Sequence, residues 1–219
     1  YSGSEGVVPQ GIWDYYEDYI PSNSFYSKGS LLSVKLPKSA VVIESECFSS
    51  CYSLYKIEFP DSLLSIESNA FYNCYSITYL KFPSKLETIR NSAFYGCESI
   101  ESIEIPFSLK SIDLQAFNSC NNIKTIISNA IIPPEIPLGI EIYCFDSSTR
   151  NNAILEVPYR ASSLYKNLSA NEWSGFTNIK EKQQGFELSA YDVLIGSQDS
   201  STVRIDVKSN TSWKVSSDN

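Results

Sequence analysis

The chain has 219 residues, 42% hydrophobic and 19% charged, a composition that belongs to ordered globular proteins rather than disordered ones. Seventeen basic against 25 acidic side chains leave a net charge of −8. Nucleic acid and anionic lipid both need a basic footprint, so neither is expected as a partner.

The opening stretch, Tyr1 to Gly6, is polar and is not a signal peptide. No apolar run approaches the roughly 18 residues of a membrane span. Methionine is absent, even at position 1. The expectation is a mature or trimmed chain whose initiator and export signal have been removed.

Residues 1–30 carry Ile20 and Phe25, each 23 positions ahead of Ile43 and Phe48, but Lys28 stands where Cys51 follows. They read as a degenerate first repeat or N-terminal cap, with Trp13, Tyr15, Tyr16 and Tyr19 covering the open end. Residues 31–126 then hold four regular repeats. Prolines recur at Pro37, Pro60, Pro83 and Pro106, all 23 apart. With the same period come Phe48, Phe71, Phe94 and Phe117, then Cys51, Cys74, Cys97 and Cys120, then Ile43, Ile66, Ile89 and Ile112. A further apolar column runs Val34, Ile57, Leu80, Ile103 and Ile126.

Within each repeat the residues before proline alternate apolar and polar, as in Ile57-Glu58-Phe59, which predicts a strand with one buried face. Proline ends it, since it has no N–H for a ladder. Leu63 and Ile66 mark a second side, and Ala70, Phe71 and Cys74 predict a tight 3₁₀-type turn that tucks the ring inward. One such unit buries too little to stand alone, so the repeats must stack into a solenoid. Phe48, Phe71, Phe94 and Phe117 are then expected in one interior file.

Residues 127–182 continue less regularly. Phe145 falls 28 positions after Phe117, which places a five-residue insertion around Pro133-Pro134. A last strand, Ile154 to Val157, leads into a C-terminal cap with Trp173 and Phe176. In residues 183–219 the columns vanish and plain alternation replaces them (Phe186, Leu188, Ala190; Val203, Ile205, Val207). That is half of a β-sandwich, too short for a core of its own.

The unit Ile57-Glu58-Phe59-Pro60 through Ala70-Phe71-Tyr72-Asn73-Cys74 resembles the BspA-like, Treponema-type leucine-rich repeat, L-x-x-I-x-L-P-x-x-L-x-x-I-x-x-x-A-F-x-x-C. The resemblance implies a mainly β solenoid of right-handed leucine-rich-repeat coils with parallel strands and short 3₁₀ turns. It also implies an exported, surface-attached bacterial protein that binds host matrix proteins or glycans, with room for a lipid anchor upstream. The ending Ser209-Asn210-Thr211-Ser212-Trp213-Lys214-Val215 is similar to the start of the Bacteroidetes-associated carbohydrate-binding module called BACON. The expected protein is a monomeric, secreted or outer-surface adhesion protein. A glycan-capturing accessory protein and a structural spacer are the alternatives.

No cofactor or metal site is expected. The cysteine column lacks the two-to-four-residue spacing of a metal site, and histidine is absent altogether. Stacked coils hold the thiols about 4.8 Å apart, and a disulfide would need Cβ atoms closer than that, so free buried thiols are expected. Cys47 takes the small slot of Ala70, Ala93 and Ala116, while Cys144 falls outside the columns. Lys35, Glu58, Lys81 and Glu104 alternate in sign on the outer strand face and predict a register-fixing charge ladder. Without histidine no Ser–His–Asp or Cys–His arrangement exists, and catalysis is not expected.

The candidate ligand-binding residues are tyrosines. Tyr72 and Tyr95 share one outward column, Tyr52 and Tyr75 another, and Tyr79 lies on the outer strand face. Such phenols suit a sugar ring or a protein partner. Alternatively they pack on one another to shield the turn.

Overall fold

The computed structural model describes residues 18–137, 142–167 and 171–183. The chain divides into two units, Tyr1–Lys182 and Gln183–Asn219. The β-sandwich and BACON-like expectations fall in the second, outside the described residues, as do Trp13, Tyr15 and Tyr16.

The first unit is a solenoid of stacked parallel coils. Its pre-proline side carries β2 (Ser33–Lys35), β4 (Lys56–Glu58), β6 (Tyr79–Lys81), β8 (Ser102–Ile105), β10 (Thr125–Ser128), β11 (Ile154–Val157) and β12 (Asn178–Glu181). After each proline corner a two-residue strand follows: β1 (Tyr19–Ile20), β3 (Val42–Ile43), β5 (Ser65–Ile66), β7 (Thr88–Ile89) and β9 (Ser111–Ile112). These five form one continuous parallel sheet, with Ile20, Ile43, Ile66, Ile89 and Ile112 in register. Proline works twice at the corner: it ends the strand, and its carbonyl accepts the turn N–H three residues on, as Pro60 does from Leu63 at 3.2 Å.

The pre-proline side is not one sheet. β2 pairs with β4, while β6, β8, β10, β11 and β12 form a separate five-stranded sheet. The interruption falls between β4 and β6, where Ile57 and Phe59 are half-buried although their column mates Val34, Leu80, Leu36 and Phe82 are buried. The expected charge ladder breaks at the same place. Lys35–Glu58 (3.3 Å) and Lys81–Glu104 (3.2 Å) form, but Glu58 turns to Lys56 of its own strand at 2.9 Å instead of reaching Lys81. Without a shared ladder nothing brings the two side chains together.

The third side is the expected tight turn, closed within each coil by bonds three residues apart such as Ala70 N to Glu67 O (3.2 Å) and Tyr72 N to Asn69 O (3.0 Å), and it is also bonded from coil to coil. Two residues per coil have positive φ: Asn23, Glu46, Asn69, Ser92 and Gln115 at one level, Ser27, Ser50, Asn73, Gly96 and Ser119 four residues later. These left-handed residues turn alternate amides along the stack. Thus Glu46 N donates to Ser68 O (3.1 Å), Phe48 N to Ala70 O (2.7 Å) and Ser50 N to Tyr72 O (2.7 Å), all in the next coil. Among the described residues the 3₁₀ helix lies elsewhere, at Glu172–Gly175 in the C-terminal cap.

Phe25, Phe48, Phe71, Phe94, Phe117 and Phe145 form one interior file, with neighbouring centroids 5.0–5.4 Å apart and planes within 7°. All six rings are buried. Residues 18–30 therefore pack as a coil in register, and Tyr19 is half exposed on β1 instead of covering the end. The five extra residues ahead of Phe145 leave the file continuous, as the backbone bridge between Phe117 and Phe145 shows; the bridge of Ser111 to Glu135 puts all but one of them after Glu135 instead of around Pro133-Pro134. Cys144 is thereby placed: directly before Phe145, it fills the small slot of Cys47 and Ala116.

The C-terminal end adds α1 (Ser147–Asn152) and α2 (Ser162–Lys166). Ile154–Val157 is not the final strand, since β12 pairs with it from Ile154↔Asn178 to Val157↔Glu181. Trp173 is buried against Phe145, Tyr165 and Phe176, and its indole N–H donates to Pro134 O at 2.8 Å.

Candidate functional site

In the regular coils paired strand residues lie 23 positions apart, as Ser65 and Thr88 do, so the surface there consists of columns. Tyr52 stacks on Tyr75 at 5.2 Å and 11°. Tyr72 stacks on Tyr95 at 4.9 Å and 5°. The Tyr52–Tyr75 pair is exposed and the Tyr72–Tyr95 pair half-buried. Tyr79, exposed on β6, donates its phenolic hydrogen to Glu104 Oε2 at 3.0 Å. Burial and this bond raise the Tyr79 pKa. Burial raises Tyr75 too, with Tyr52 and Glu98 adding to the effect.

Three further residues belong to the same surface. Tyr26, Leu32 and Tyr55 are exposed, and with Tyr52, Tyr75 and Tyr79 they span 39–55% relative exposure. Tyr55 directly follows buried Leu54, and that alternation marks it as outward-facing. All six lie in the coils covering residues 18–86. In the next two coils the positions equivalent to Tyr75 and Tyr55 hold Glu98, Glu101, Asn121 and Lys124. These six lie in the earlier coils, while other exposed apolar side chains, Phe107, Ile131 and Ile132 among them, stand farther along the chain.

The charges around it are mostly paired between coils: Lys124–Glu101 (2.9 Å), Lys110–Glu87 (2.7 Å), and Arg90 between Glu67 (4.0 Å) and Asp113 (3.6 Å). These exposed pairs set register and contribute little each. Burial pushes the Glu104 carboxyl up, but Tyr79, Lys81 and Asn129 together hold it below the ordinary value. An open groove at the proline corner, lined by Lys35, Lys38, Phe59 and Asp61, lies beside the interruption in the sheet.

The cysteines are interior. All six are free and buried. The four column thiols do more than fill space: Cys51, Cys74, Cys97 and Cys120 donate S–H to the carbonyls of Phe25, Phe48, Phe71 and Phe94 at 3.0–3.1 Å. Burial raises every thiol, Cys51 to about 12, so none is a ready thiolate nucleophile. Among the described residues no group of three or more Cys, Asp or Glu is placed to hold a metal ion.

One buried acid was missed by the sequence reading. Glu172 accepts N–H from Cys144 (2.6 Å) and Phe145 (2.8 Å), with Arg150 Nε 3.9 Å away. The Arg150 guanidinium lies over Tyr143 at 4.0 Å. Sequence offers no warning here, because Glu172 lies in the stretch read as the C-terminal cap and the polar pair Asn171-Glu172 does not mark its carboxyl as buried.

Stacked parallel coils, 23 residues long through the regular region, with an aligned phenylalanine file and a proline corner, define a leucine-rich-repeat solenoid. The family model for the BspA type leucine rich repeat region matches residues 18–150 in six copies, and the chain belongs to that family. A leucine-rich repeat protein of Treponema pallidum is similar at 27% identity and TM-score 0.61, over 72% of this chain and 74% of that one. A leucine-rich cell-surface protein of Faecalibacterium prausnitzii is 31% identical with TM-score 0.52, over 57% of this chain and 31% of that one. The pneumococcal vaccine antigen PcpA, 18% identical with TM-score 0.57 over 76% of this chain and 39% of its own, shares the fold. No curated protein matches the chain. Among the described residues no helix is long and apolar enough to cross a membrane.

Proposed function

We propose that the chain is a non-enzymatic binding protein of a bacterial surface, presenting its tyrosine ridge to a protein partner of the host or its matrix. The observation that carries this reading is the succession of exposed Tyr26, Leu32, Tyr52, Tyr55, Tyr75 and Tyr79 in the coils covering residues 18–86. Exposed apolar patches of this kind on soluble chains mark interaction sites. Tyrosine gives contact area at low entropic cost. The surface location draws on the cell-surface description of the Faecalibacterium relative.

Protein is favoured over glycan by the stacking. Sugar rings bind over a free aromatic face, and the facing planes of Tyr52–Tyr75 and Tyr72–Tyr95 cover one another. What those pairs leave exposed is mainly ring edges and hydroxyls, which suit peptide groups and side chains, and a ring face only at the ends of each pair, as on the Glu98 side of Tyr75. A monomer is supported by the C-terminal end, where Trp173 and Glu172 close the stack.

The test is capture of the chain on immobilised matrix proteins, fibronectin among them, alongside a glycan array. Binding to a matrix protein that falls at least tenfold in Tyr52→Ala/Tyr75→Ala supports the reading. Binding to the array alone, lost in the same variant, would make the chain a glycan-capturing accessory protein. Silence in both assays would make it a spacer.

A further inference from the structure

We infer that the segment seated on the ridge is cationic, with an arginine over Tyr75; this rests on the ridge being the binding surface. The column that holds the exposed stack runs Gly29, Tyr52, Tyr75, Glu98. At one end Gly29 keeps the surface low: a Cβ there would touch Tyr52 Cδ2 at 3.4 Å. At the other end, Tyr75 has one face against Tyr52 and the opposite face toward the coil of Glu98. Glu98 is exposed and, among the described residues, outside every ion pair. Its neighbours differ, since Glu101 holds Lys124 and Glu104 holds Lys81. A ring face bordered by an uncompensated carboxylate suits a guanidinium, which stacks on the ring while pairing with the acid.

The wider charge agrees. The chain carries −8; Lys35, Lys56, Lys81, Arg90, Lys110 and Lys124 are engaged by acids, while Lys28, Lys38 and Lys85 stand outside those ion pairs. A basic segment would therefore be attracted, and an acidic one repelled. Six side chains form a patch of a few hundred Å², below the roughly 1,000 Å² of a stable interface, so binding is weak and fast.

The experiment uses the full chain and two blocked synthetic peptides, Arg-Gly-Arg-Gly-Arg and Glu-Gly-Glu-Gly-Glu, titrated calorimetrically at 50 and 200 mM salt. The arginine peptide is expected to bind and the glutamate peptide to give no heat. Glu98→Gln and Tyr75→Leu should each weaken binding about three- to fivefold. Glu156→Gln, the same charge change on β11, should leave it unchanged. Circular dichroism shows whether each variant is folded. Equal weakening by Glu156→Gln, or none by Glu98→Gln and Tyr75→Leu, overturns the inference in favour of diffuse charge attraction. Matrix-protein capture that depends on Tyr52 and Tyr75 without arginine-peptide binding would leave the ridge standing and remove its cationic occupant. Capture and peptide binding both indifferent to the tyrosines would remove the ridge itself.

Discussion

Replacing Glu172 by alanine should fray the C-terminal end of the solenoid. Inside the stack each file phenylalanine donates its N–H to the small-slot carbonyl of the next coil: Phe71 to Ala93 (2.7 Å), Phe94 to Ala116 (2.8 Å), Phe117 to Cys144 (3.0 Å). Phe145 is the last ring of the file and has no further coil to donate to. The Glu172 carboxylate takes that place, with one oxygen on Phe145 N and the other on Cys144 N. Glu172→Ala leaves two buried donors without acceptors, at about 1–3 kcal/mol each. Part of this is offset, because the wild type also bears the cost of burying a charge. A net loss of about 2–4 kcal/mol follows, concentrated in the final coils because each coil contacts only its neighbours. Urea unfolding gives the total, and amide hydrogen exchange gives its location. A change under about 0.5 kcal/mol, with Cys144 and Phe145 amides still protected, would refute the account.

The same carboxyl sets a pH signature. Burial pushes Glu172 above the ordinary glutamate range, against the two N–H groups and Arg150, which pull it down. An acid raised in the folded state holds more protons there than in the unfolded chain between the two values. Its contribution is therefore full below the unfolded value of about 4.3 and lost as pH rises through the raised folded value. Glutamates 58, 104 and 181 are lowered, so their contributions stand above the ordinary value and fade below it. The windows do not overlap. Wild type should gain stability over Glu172→Gln as pH falls from 7 toward 5, and a shrinking difference would contradict the burial argument.

Three other perturbations probe the stack. Phe71→Ala, with a ring on either side, should cost about 3–5 kcal/mol and lower the urea midpoint more than Phe25→Ala at the end of the file. A thiol reagent should label none of the six cysteines in the native chain and all six after unfolding, and fast native labelling would show that the turn opens. Gly96→Ala should destabilise by about 1–2 kcal/mol, because Gly96 has φ +70° and a Cβ there would fall 2.2 Å from Asn73 Oδ1. A thermal scan that found this variant as stable as wild type would mean that Asn73 swings away without cost.

What the sequence made legible was whatever repeats. The phenylalanine file, the isoleucine strand and the outward tyrosine columns all follow from one period, and the 28-residue step to Phe145 was readable as an insertion. Cys144 escaped because cysteines align with the Cys51 column by residue type, whereas its slot is set by the phenylalanine after it. The α1 and α2 helices, of six and five residues, are too short to show a period, and neither has a side-chain N-cap. β12 has one apolar residue, Ile179, and only its pairing with β11 makes it a strand. The break between β4 and β6 has no counterpart in the columns: Ile57 and Phe59 match their equivalents in type, and the difference lies in how the coils sit. Thiol hydrogen bonding was hidden likewise, since a repeating cysteine looks the same whether it fills space or donates.

Stacking also explains why the candidate site resides in the departures from the repeat. Where a column keeps one apolar residue through every coil, as at Phe48 to Phe117, the neighbours satisfy one another and nothing is left for a partner. Outward columns obey the same proximity rule with different chemistry: opposite charges meet in Arg90 and Asp113, and rings meet in Tyr72 and Tyr95. Such a column is self-satisfied for as long as its members match. The Gly29–Tyr52–Tyr75–Glu98 column does not match at its ends, because glycine offers no ring and glutamate can neither stack nor find a lysine beside it. A repeat protein exposes unmet chemistry where a column changes character, and on this chain that change coincides with the border of the exposed tyrosines.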